Sequence, residues 1–180
     1  MIELNVSQEL ATKAAAAAKD KGIDLPEWMK RQLANQVHVE LLGQMSLALA
    51  ERFGDEVWEI CERVSTDIGR ELAPAVRALL DLDPDDARSL TKAVDLTNLM
   101  LDISGEEVVF ERGQVVRHER DCLLSKRLVE IGCPQYCSGM FQPMYRGLLK
   151  TLNAKADAND PPFLKSKGDD YCEVITMVKE

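Results

Sequence analysis

Apolar residues recur at helical spacing through the first hundred positions and at strand spacing after them. Leu33, Val37, Leu41, Met45 and Ala48 form one helical stripe. Gly54 interrupts it. Val57, Ile60, Cys61, Val64, Ile68 and Leu72 form a second stripe, expected to face the core. Pro74 should kink or break that helix, because proline cannot donate to the preceding turn. Upstream, Ser7 is a candidate N-cap for the alanine-rich stretch to Lys21, Gly22 a stop, and Pro26 a first-turn proline. Asp83-Pro84-Asp85-Asp86 reads as a helix start, with Asp83 capping and Pro84 in the first helical position. Ala87, Leu90, Val94, Thr97 and Leu101 then face one way.

The period changes near residue 105. Residues 107–111 and 114–118 alternate as strands, with Arg112-Gly113 as a two-residue hairpin loop. Residues 123–131 read as a helix stopping at Gly132, and Pro134 opens another running to Leu152. The turn Lys167-Gly168-Asp169-Asp170 leads into a strand from Cys172 to Val178. The pattern predicts an α+β fold: a helical N-terminal part, residues 1–105, followed by a small antiparallel sheet with two packed helices, residues 106–180. The two parts are expected to form one compact unit.

Charge sharpens this division. The 180 residues carry a net charge of -9, which argues against a nucleic-acid binder or a binder of anionic membranes, since both need a positive field. Residues 1–105 hold 19 acidic and 11 basic side chains, net -8, whereas residues 106–180 hold 12 and 11, net -1. No stretch reads as a signal peptide or a membrane span, so a cytoplasmic, reduced protein is expected. The five cysteines, an odd number, are then thiols, ligands or nucleophiles before they are disulfides.

Cys61 falls in an apolar helical stripe and reads as core, but Cys122, Cys133, Cys137 and Cys172 lie in the second part. Alternation puts Val116, His118, Arg120 and Cys122 on one strand face. If Pro134 is the first helical residue, Cys133 is the N-cap. Its sulfur would then face free backbone N–H groups, a placement that lowers a thiol pKa. Cys137 lies four residues on and projects from a similar face. The spacing also falls within the gap between cysteines that share a zinc ion, so the four cysteines are candidate ligands for zinc or iron.

Gly132-Cys133-Pro134 and the ending Gly168-Asp169-Asp170-Tyr171-Cys172-Glu173-Val174 resemble the L-2-amino-thiazoline-4-carboxylic acid hydrolase family. The same ending is similar to 4-vinyl-reductase-type, hydrocarbon-binding sensor domains, in which a terminal cysteine joins other cysteines and a glutamate on zinc. Here residues 161–167 contain neither cysteine nor glutamate, a departure from that zinc pattern. The hydrolase resemblance implies opening of a small cyclic amidine or amide ring. Cys133 is then the candidate nucleophile and Cys137 the second choice. His118 or Asp121 would activate water. Arg120 or Arg146 would hold a substrate carboxylate, with Tyr136 also in the substrate site. Alternatively, a cysteine-bound metal would polarise water. The sensor resemblance implies a binding module for a small apolar or metal-containing ligand. Its N-terminal helices would serve as a lid or as the surface of a homodimer.

Overall fold

The computed structural model describes residue 21 and residues 26–179, and the chain divides into two units, residues 1–34 and 35–180. The helix starts expected at Ser7 and the stop at Gly22 lie outside the described residues. Helix α1 (Glu27–Phe53) begins in the first unit, where the Pro26 carbonyl accepts from Met29 and Lys30, and continues into the second. There follow α2 (Glu56–Leu79), α3 (Ala87–Met100), β1 (Ile103–Phe110), β2 (Gln114–Cys122) and α4 (Leu123–Glu130). A π-helical turn (Cys137–Phe141) leads into α5 (Gln142–Leu152), then β3 (Ala156–Ala158), a 3-10 turn (Lys165–Lys167) and β4 (Cys172–Val178). The four strands form an antiparallel sheet in the order β1-β2-β4-β3. The architecture is α+β, as the change of period predicts. Its core crosses residue 105: Leu90 and Val94 of α3 pack with Leu148 and Leu149 of α5 and Val174 of β4.

Helix α2 inverts the expected orientation. Its large apolar residues Ile60, Val64, Ile68 and Leu72 stand exposed, Ile60 to 51%. Its buried residues are Val57, Ser65, Gly69, Ala73 and Val76. The reason is how closely α2 approaches α5. A Cβ on Gly69 would lie 2.0 Å from the Met144 carbonyl oxygen, and one on Gly147 would lie 2.1 Å from that of Thr66. Backbone meets backbone at both points, so only the small-residue face fits. Pro74 does not break the helix, which runs through it to Leu79. Residues 35–53 of α1 likewise expose Val37, Leu41 and Met45 and bury Val39 and Ser46.

Local chemistry sets the element ends. The cap of α3 is Asp86 rather than Asp83: its carboxylate accepts from the Arg88 N–H at 2.9 Å, and the helix opens at Ala87. Asp83 closes the preceding turn by accepting from the Asp85 N–H. At the end of α4, Gly132 takes φ +73°, the Cys133 N–H reaches the Leu128 carbonyl and the Gly132 N–H reaches Val129. This is a Schellman closure, and its hydrophobic contact joins Cys133 to Leu128. The hairpin closes through two bonds between Glu111 and Gln114 around Arg112-Gly113.

Candidate functional site

Strand β2 runs between β1 and β4, so its two faces have different fates. On the inner face Val115, Arg117 and Glu119 lie opposite Thr176, Val174 and Cys172 of β4. Two charged side chains thus point toward the helices. Glu119 is 2% exposed. Its Oε1 accepts from Arg117 Nε at 2.9 Å and from Asn98 Nδ2 at 2.8 Å. Asn98 Oδ1 in turn accepts from the Tyr145 hydroxyl at 2.9 Å. The chain of bonds ties β2 to α3 and α5. Arg117 also pairs with Asp95 at 2.8 Å and with Glu107. One guanidinium therefore serves three carboxylates. Burial raises the Asp95 pKa against the pull of Arg117, and the neighbouring carboxylates add to the rise.

Beside this network is a cavity of about 40 Å³, lined by Glu119, Asn98, Tyr145, Gln142, Phe141, Leu124, Val174 and three cysteines, among others. Two of the lining residues carry buried acceptors without a hydrogen-bond partner, Glu119 at Oε2 and Gln142 at Oε1. Buried polar atoms are nearly always partnered, so two on one small cavity mark it out.

The π turn supplies one wall. The Gln142 N–H bonds to the Cys137 carbonyl, five residues back. In an α-helix, residues five apart point about 140° away from one another. The wider turn brings Cys137, Phe141 and Gln142 to the same cavity. Such turns often occur at functional sites.

The structure gathers three of the four candidate cysteines. Cys122, Cys137 and Cys172 all line the cavity. Cys122 leaves the face of His118 because the strand ends there: it caps α4, its sulfur accepting from the Ser125 N–H. Cys172 accepts from the Lys165 N–H at 3.3 Å. Cys133 points elsewhere, into the core with Leu128 and Tyr136. It does receive the Tyr136 N–H, as a cap would, but it is 0% exposed and burial outweighs that bond. The expected lowering of its pKa is therefore reversed, and the thiol is pushed up. Burial also raises Cys137 to about 12 and Cys172 to about 11. Among the described residues no group of three His, Cys, Asp or Glu side chains is placed to hold a metal ion.

The remaining candidates lie outside the cavity. His118 faces outward, bonded through Nε2 to Glu173 at 3.1 Å and stacked on Tyr171. Asp121 accepts from Ser104 Oγ on an exposed edge. Arg120 pairs with Glu106 and lies over the Tyr171 ring. Arg146 is engaged by Asp160, Asp157 and Glu62. Tyr136 is buried against Phe141, and desolvation pushes its pKa to about 12. Cys61 is half-buried rather than core.

Sequence reading missed Glu119, Asn98, Gln142 and Tyr145. One signal was available for Glu119: the alternation Val115, Arg117, Glu119 places an opposite-charge pair on the strand face that begins with Val115. Asn98 sits four residues beyond Val94 and eight beyond Leu90 on the buried face of α3, whereas the stripe expected from the sequence passes through Thr97.

Two solved structures have similar folds. One is a trafficking protein particle complex subunit 3 from Naegleria fowleri, covalently bound to palmitic acid. It aligns with a TM-score of 0.61 and 12% identity, covering 83% of this chain and 97% of that one. The other is the phenol-responsive sensory domain of the transcription activator PoxR, with phenol. It also aligns with a TM-score of 0.61 and 12% identity, covering 78% of this chain and 74% of that one. No protein-family model and no curated protein sequence matches the chain. At this identity the likeness shows the fold alone. Neither comparison supports the thiazoline-carboxylate hydrolase family that the C-terminal motifs resemble. No helix among the described residues is long and apolar enough to cross a membrane.

Proposed function

We propose that the protein is a small-molecule-binding domain of the sensor type, with its ligand in the cavity between the sheet and the π turn. The observation that carries this reading is that two lining residues, Glu119 and Gln142, carry unpartnered buried acceptors beside an otherwise largely apolar lining. A few placed polar groups in an apolar pocket are the usual make-up of a ligand site. The two structural neighbours, one holding phenol and one holding palmitic acid, support it. Size favours a small ligand: a cavity of roughly 150 Å³ accepts benzene, and this one is about 40 Å³. A palmitoyl chain would require extensive opening.

The ring-opening hydrolase is the weaker reading. Its nucleophile, Cys133, is buried as a thiol, and its carboxylate-bearing substrate would meet Glu119 in the cavity. The test is a ligand-observed NMR screen of the intact protein against compounds of two to four heavy atoms. Binding lost on Gln142→Leu or on filling the cavity with Cys137→Leu supports the reading. Binding that neither change affects refutes this location.

We also propose that the exposed stripe on α2 pairs two copies of the chain. Ile60, Val64, Ile68 and Leu72 are exposed and flanked by the exposed charged residues Glu59, Arg63, Asp67 and Arg70. An apolar strip between polar rims is the usual anatomy of an interface, and a two-fold axis would set the strip against itself.

A further inference from the structure

We infer that the cavity selects a small organic cation with N–H donors, such as a primary amine. The inference rests on the cavity being the ligand site and goes beyond it to the ligand's chemistry.

Three features of the lining point the same way. First, among the described residues Glu119 is the only charged one lining the cavity, and no basic side chain joins it there. An anionic headgroup would face a carboxylate without a counter-charge. Second, the free Glu119 Oε2 and Gln142 Oε1 are both acceptors. A hydroxyl has one hydrogen and can satisfy one of them. An ammonium has three and can satisfy both. Third, Arg117 shares its single charge among Glu119, Asp95 and Glu107. Of the three, the Glu119 side chain is 3% exposed against 39% and 42% for Asp95 and Glu107, so water does least to offset what Arg117 leaves uncompensated there.

Phe141 and Tyr145 add aromatic surface to the lining, which also favours a cation over a neutral molecule. The hydrocarbon part of the ligand would lie among Leu124, Leu164 and Val174. Buried charge is costly unless paired and hydrogen-bonded, and this arrangement offers the pairing.

Calorimetric titration of the intact protein with ethylamine, ethanol and acetic acid at neutral pH tests the inference. These probes share a carbon skeleton and differ in headgroup. The expected order is amine first, the alcohol at least tenfold weaker, and no binding of the acid. In Glu119→Gln, confirmed folded by circular dichroism, the amine should weaken at least tenfold and the alcohol should change little. Equal binding of amine and alcohol would overturn the cation assignment and leave the cavity as a ligand site. So would amine binding indifferent to Glu119→Gln. Binding of none of the three would overturn both readings. The comparison in the wild-type protein needs no variant, so it holds if Glu119→Gln fails to fold.

Discussion

Asn98 donates its Nδ2 to Glu119 Oε1 across 2.8 Å, and this bond joins helix α3 to the central strand. Its Oδ1 is used at the same time by the Tyr145 hydroxyl. Asn98→Ala removes an acceptor from Tyr145 and a donor from Glu119, both buried. Leaving such groups unpaired costs about 1–3 kcal/mol, more where one is charged. Urea denaturation should show a loss in that range or above it. Tyr145→Phe removes a hydroxyl with its hydrogen bond and should cost about 1 kcal/mol. Equal losses would mean that Asn98 does not link the two.

The contact between α2 and α5 depends on two glycines. Gly147→Ala would put a methyl group 2.1 Å from the Thr66 carbonyl oxygen, and Gly69→Ala one 2.0 Å from that of Met144. Neither obstacle is a flexible side chain, so the helices must separate. Each change should destabilise by about 1–3 kcal/mol or more. Gly113→Ala, with nothing within 4 Å of the new methyl, is the control and should fall within about 0.5 kcal/mol of wild type. Thermal unfolding of the three variants reads this out.

Asp86 gives the fold a specific acid sensitivity. Hydrogen bonds from Arg88 lower its carboxyl from 3.8 to about 2. A carboxylate lowered on folding contributes stability above its unfolded value and loses it as pH falls through the folded one. Asp86→Ala should cost about 0.5–2 kcal/mol at neutral pH, as a lost cap does. The gap between wild type and variant should shrink as pH falls from 3.8 toward 2. Denaturation curves over that range test it, and a constant gap would assign the effect to packing.

The thiols of Cys137 and Cys172 should be inert at neutral pH. Cys137 and Cys172 ionise only near pH 12 and 11 in the folded chain. Peptide mapping after brief exposure of native protein to iodoacetamide should show Cys137 and Cys172 unmodified, with full modification after unfolding. The alkaline consequence has a definite sign. The unfolded thiols ionise near 9 and the folded ones later, so stability holds below 9 and falls as pH rises toward 12.

If α2 pairs two copies, Ile68→Glu should produce a monomer by sedimentation velocity under conditions where the wild type sediments as a dimer. Ile68 is 45% exposed, so the substitution should leave the protomer's fold intact. A wild type that sediments as a monomer at every concentration tested would remove the proposal.

Some of this architecture was legible in the chain. The Glu111–Gln114 hairpin, the stop at Gly132, the Gly168 turn and the strand Cys172–Val178 follow from local chemistry. Each depends on neighbours within a few residues, and a glycine φ or a period of two needs no distant partner. The sequence also determined that the fold is α+β and that four of the five cysteines fall in its second part.

The orientation of α2 and the make-up of the cavity were decided only by tertiary structure. The apolar stripe Ile60, Val64, Ile68 and Leu72 reads as core because burial normally favours large side chains. Here Gly69 and Gly147, far apart in sequence, permit backbone contact and select the opposite face. The Cys133 thiol is likewise set by its surroundings: the local cap bond is present, but desolvation outweighs it. Glu119, Asn98 and Gln142 come from a strand, a helix and a π turn, and no local pattern joins them. Their meeting follows from the pairing of strands with helices. Long-range packing decides which polar atoms share a cavity and which of them have no partner.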